Sequence, residues 1–104
     1  MLNLDNENFL ESVKTGQSIL VFYKDQCPLY PSVLDIFNDL QQMHHKQINF
    51  FKIDAAVNSE IIKFYDIIIG VPTILALNDS KVLSHWPGLR ELKSYHAIID
   101  DMLN

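Results

Sequence analysis

Only one side chain in this chain combines a nucleophilic sulfur with a setting that would activate it. Cys27 is the single cysteine of the 104 residues. It follows Ile19-Leu20-Val21-Phe22-Tyr23, an apolar run rich in β-branched and aromatic types that predicts a strand covered on both faces. The polar residues Lys24-Asp25-Gln26 break the run, and Pro28 and Pro31 after the cysteine are prolines of the kind found where helices begin. A thiol at a helix N-terminus feels the positive end of the helix dipole and unpaired backbone N–H groups, and both favour thiolate over thiol. The chemistry expected of Cys27 is therefore nucleophilic thiol chemistry. The plainer alternative is a small, inert core residue.

A lone cysteine excludes an internal disulfide framework and a cysteine-based zinc site. The four histidines do not replace one. His44 and His45 are adjacent on a predicted helix and point apart, and His85 and His96 have no ligand-like spacing around them, so no metal and no cofactor is expected. A net charge of −5 argues against a nucleic-acid or anionic-membrane partner. No apolar stretch approaches the length of a membrane span. Met1–Asn8 lacks the basic and hydrophobic regions of a signal peptide, so a cytoplasmic protein is expected. The length predicts one domain with one core, and the composition does not define an oligomeric state.

The elements that must position Cys27 follow from periodicity and punctuation. Met1–Leu4 reads as a short edge strand. Asp5 is the expected N-cap of a helix that buries Phe9, Leu10 and Val13 and closes at Gly16. Ser18–Tyr23 is the second strand. From Pro31, the residues Val33, Ile36, Phe37, Leu40 and Met43 recur at helical spacing until His44-His45-Lys46, and Tyr30, preceding a proline, is expected outside the helical region. Ile48–Asp54 is a third strand. Asn58 is an expected N-cap for a helix packing Ile61, Phe64 and Tyr65. Thr73–Leu77 and Val82–Trp86 flank the turn Asn78-Asp79-Ser80-Lys81 as a hairpin. A last helix with Leu92, Tyr95, Ile99 and Met102 on one face ends near Leu103. Strands separated by helices imply parallel pairs and the hairpin adds antiparallel ones. The fold class is thus α/β, a mixed central sheet flanked by helices on both faces.

This arrangement resembles the thioredoxin family over nearly the whole chain. Cys27 directly after a buried strand and a polar turn is one landmark. Gly70-Val71-Pro72-Thr73 before a strand, similar to the family's cis-proline loop, is the other, and Gly88 before the last helix matches a family glycine. The resemblance implies a thioredoxin-like fold, with Cys27 as the attacking thiol and Pro28, Leu29, Tyr30, Val71 and Pro72 around a substrate segment. It also shows departures. The site reads Cys27-Pro28-Leu29-Tyr30, with Tyr30 where the family has its second, resolving cysteine. Val21 stands in place of the family's buried acid, Phe50 at or near its partner lysine, and Gln26 in place of the tryptophan before the first cysteine. The second thiol and its proton-handling groups are absent together.

Two functions follow as expectations. One is a protein of thiol redox homeostasis in which Cys27 exchanges disulfides with a protein or low-molecular-weight thiol, an external thiol completing the cycle. The proline of Cys27-Pro28 is loosely similar to glutaredoxin-like and bacilliredoxin-like sites in this respect. The other is a redox-inactive module that binds an extended peptide by strand-like hydrogen bonds. Tyr30 either donates a hydrogen bond to the thiolate or merely fills the space of the second cysteine.

Overall fold

A computed structural model describes residues 1–25, 30–66, 68 and 70–104, with the side chains of Tyr30 and Pro31 left aside. The described strands are β1 (Leu2–Asn3), β2 (Gln17–Tyr23), β3 (Ile48–Asp54), β4 (Thr73–Asn78) and β5 (Lys81–Pro87). The described helices are α1 (Phe9–Ser12), α2 (Tyr30–His44), α3 (Ser59–Phe64) and α4 (Leu92–Leu103). The strands form one sheet in the order β1-β3-β2-β4-β5. β1 and β2 run parallel to β3, and β4 runs antiparallel to both β2 and β5. This is the mixed α/β sheet expected of a thioredoxin-like fold.

β2 lies in the centre, and its alternation builds both halves of the core. Ile19 and Val21 face one way, into a cluster with Val33, Phe37 and Leu40 of α2 and Tyr95, Ile98 and Ile99 of α4. Leu20 and Phe22 face the other way, into a cluster with Phe9 of α1, Ile61 of α3, and Leu75 and Leu77 of β4. All four of these β2 side chains are fully buried. A strand with two covered faces must be apolar at every position, which is why Ile19–Tyr23 carries no alternation.

The helical faces differ from the sequence expectation at their margins. Leu10, Met43, Phe64 and Leu92 are exposed, while Leu34 and Ile98 are buried. Each exposed residue stands close to one end of its helix or within a short one, where the chain leaves the sheet before the side chain reaches it. α2 also takes in Tyr30, one residue earlier than expected. The first residue of a helix tolerates a following proline better than an interior residue does.

Three predicted caps act differently. Asn58 makes no side-chain cap of α3. Its Nδ2 donates to the Asp54 carbonyl at 2.8 Å and its Oδ1 accepts from the Asn6 N–H at 3.2 Å. Asn6 returns the contact, its Oδ1 accepting the Ile61 N–H of α3 at 3.2 Å. The cap thus comes from a residue 55 positions away. Gly16, with φ of +83°, follows α1 at a distance instead of closing it. Its N–H donates to the Asp79 carboxylate at 2.7 Å and its carbonyl accepts the Asp79 N–H at 2.9 Å. Asp5 is not the N-cap of α1, a place taken by Asn8; its carboxylate accepts from the Glu7 and Asn8 N–H groups, both at 2.9 Å, and shapes the turn ahead of the helix. The hairpin turns through Asp79 and Ser80, with φ of 48° and 70°, the left-handed pair of a type I′ turn.

Candidate functional site

The site expected from the sequence lies where β2 ends. β2 closes at Tyr23, Lys24 and Asp25 are exposed beyond it, and α2 is described from Tyr30. Cys27, Pro28 and Leu29 lie outside the described residues, and Tyr30 is placed by its backbone alone, as the first residue of α2.

The other part of the expected site is the segment that leads into β4. The Val71–Pro72 peptide bond is cis. Pro72 is buried and Val71 is half-buried. Three contacts fix this segment. The Thr73 hydroxyl donates to the Gly70 carbonyl at 2.6 Å. The Gly88 N–H donates to the Pro72 carbonyl at 2.8 Å. Thr73 pairs with Phe22 of β2, so the end of β2 and the start of β4 lie side by side. Among the described residues no hydrogen bond reaches the backbone N–H or carbonyl of Val71. Gly88 carries a φ of +75°, a conformation that glycine adopts without the Cβ clash other residues meet.

A recess of about 150 Å³ opens beside Val71, lined by Lys24, Ala55, Ile62, Ile68, Gly70 and Val71. A second of about 270 Å³ lies across Lys24, between Asp25, Asp54, Ala56 and Val57. Lys24 therefore divides an apolar hollow from an acidic one. Sequence reasoning missed the first hollow because its walls come from four separate stretches of chain. Among the described residues no three His, Cys, Asp or Glu side chains come together.

Two of the positions that depart from the family pattern are packed as core. Val21 and Phe50 are both buried in the cluster under α2 and α4. In the parallel register Val21 stands opposite Lys52, while Phe50 stands opposite Ile19. An acid at residue 21 would sit in an apolar enclosure, where an unpaired charge is costly.

No curated protein matches the chain at a significant level. The family model described as Thioredoxin matches residues 1–101. Together with the mixed sheet and the cis-proline segment beside the end of β2, that match means the chain belongs to the thioredoxin family.

Proposed function

We propose that the chain acts in thiol redox homeostasis through Cys27 alone. One observation supports this reading: the only cysteine of the sequence, Cys27, follows the buried strand β2, where the resemblance puts the family's attacking thiol, and Tyr30 falls where it puts the resolving one. The Cys27 thiolate attacks one sulfur of a disulfide. A Cys27–substrate disulfide forms, the substrate S–S bond breaks, and the second sulfur leaves as thiolate. With no second thiol in the chain, an external thiolate then attacks the mixed disulfide. It restores the Cys27 thiolate and takes the substrate sulfur into a new disulfide. A second external thiolate resolves that disulfide, releasing the substrate thiolate and joining the two external thiols as a disulfide, so both electrons for each disulfide reduced come from external thiols. Pro28, Leu29, Tyr30, Val71 and Pro72 are the residues proposed to hold the substrate segment, in a cytoplasmic setting and within a single domain.

The test is the alkylation rate of Cys27 against pH. The expected midpoint lies below that of an unperturbed cysteine, because the entrance of the 15-residue helix α2 stabilises the thiolate. Insulin disulfide reduction is expected to be poor without added small thiol and to rise with it. Dithiol-like turnover without added thiol overturns the single-cysteine mechanism.

A second reading is a binding module without turnover. It is favoured by the Val71 backbone, which has no hydrogen-bond partner among the described residues and borders an apolar recess. An extended peptide would pair there as an added strand. An alkylation midpoint at or above that of a free cysteine, with partner capture retained in Cys27→Ser, selects this reading.

A further inference from the structure

β5 is the outer strand of the sheet, so its far edge carries backbone groups that no strand among the described residues pairs. Its side chains are unusually apolar for an edge. Val82 is 41% exposed and Leu83 is 54% exposed. The register shifts between Ala76 and Leu77, where Leu77 pairs with Val82 and Ala76 with Ser84, so Leu83 is the extra residue of a bulge. The bulge turns Leu83 to the same side as Ser84 and Trp86. There these three residues line a recess of about 210 Å³ with Ile98, Asp101 and Met102 of α4.

The charges along this edge are sorted by end. α4 returns antiparallel to β5, so Asp100 and Asp101, in the last turn of α4, lie at the Lys81 end. Two carboxylates at a helix C-terminus oppose the helix dipole. Among the described residues neither is ion-paired. At the Pro87 end, Arg90 lies over the Trp86 ring at 5.9 Å, and its Nε donates to the Pro87 carbonyl at 3.1 Å. Lys93 sits at the same end, paired with Glu91 at 3.4 Å with both side chains well exposed, a pair of little strength.

We propose that the edge formed by β5 and α4 pairs with the same edge of a second copy of this chain, antiparallel across a two-fold axis. A two-fold axis perpendicular to the sheet keeps both α4 helices on one face and reverses their direction. The Asp100-Asp101 end then meets Arg90 and Lys93 of the second copy, and Lys81 meets Glu91 of the second copy. The unfavourable carboxylates of one α4 come to rest beside the N-terminus of the other, where the dipole favours them. Leu83 and its counterpart cover the apolar recess between the helices. The same surface serves both copies, as an isologous interface requires.

The experiment is sedimentation velocity over a wide concentration range in the Cys27→Ser background, which removes any intermolecular disulfide and separates this result from the redox reading. Reversible dimerisation is expected. D100K/D101K should weaken association about tenfold or more by placing like charges across the interface. It should not harm the fold, because basic residues suit a helix C-terminus. R90E/K93E should weaken it similarly, and mixing the two variants should restore a heterodimer. A second variant, Ser84→Pro, removes one N–H from β5 and should also weaken the dimer. A protein monomeric at every concentration, or a dimer that ignores the charge reversals, overturns the proposal.

Discussion

Tyr65 is a buried phenol whose hydroxyl has no hydrogen-bond partner among the described residues. Its ring packs edge-on against Phe9, Phe22 and Phe64, so the aromatic contacts hold it while the oxygen is stranded. Burial raises its pKa above the ordinary 10.0. The sign follows from that direction. Below the ordinary value the phenol is neutral both folded and unfolded, and stability does not respond to it. Above that value the unfolded chain ionises while the folded one resists, so stability is lost as pH rises through the folded value. Tyr65→Phe keeps the ring and removes the stranded oxygen. It should stabilise the protein by about 1 kcal/mol at neutral pH, in line with the cost of an unsatisfied buried hydroxyl. It should also flatten the alkaline end of the stability profile. Urea melts of both proteins from neutral to strongly alkaline pH check both outcomes. Residue-level reading of the sequence was weakest at this kind of position. Tyr65 was legible as core, but nothing local announces that its oxygen lacks a partner. The same limit hid the Lys24 recess, whose lining residues run from position 24 to position 71.

At the level of elements, strands were more legible than helices, for a physical reason. β2 carries a continuous apolar run with a sharp polar end, and Ile48–Asp54, dominated by Ile and Phe, appears as β3 with the bounds expected of it. A helical face is an arc, and neighbouring residues compete for its margin. Leu34 and Ile98 are buried, while Met43 and Leu92 are exposed. Caps were the least legible feature, since a side chain from elsewhere can supply them. Asn6 and Asn58 show this, joining the segment before α1 to the entrance of α3 through paired backbone and side-chain bonds. Asn6→Ala removes the acceptor of the Ile61 N–H and should cost about 1 kcal/mol, the usual worth of an N-terminal cap. Asn6→Asp keeps an acceptor and places a negative charge at the start of α3, so it should recover most of the loss. Thermal melts of the three proteins check the order.

On the scale of the whole molecule, two departures from the family pattern are compatible with the fold because Val21 and Phe50 are apolar and pack into its core. The mixed sheet and the hairpin were readable because they depend on apolar runs and turn chemistry spread along the chain, and the cis-proline segment was readable through the family resemblance, whereas the strand order came only with the structure. The surroundings of Cys27 depend on a few residues, and there the sequence identified only the types present. The central position of β2 has a further consequence. Its backbone is bonded to β3 on one side and β4 on the other, and its side chains belong to both halves of the core. Neither half can open without disturbing the other through this strand. In native-state hydrogen exchange, the amides of Ile19–Phe22 should therefore be the last to exchange deuterium, at a rate set by global unfolding alone. Those of β1 and of the α1 segment should exchange earlier, through local opening. Cys27 stands five residues past Phe22 in the sequence, so a partner pulling on a mixed disulfide would load a strand that cannot yield by itself.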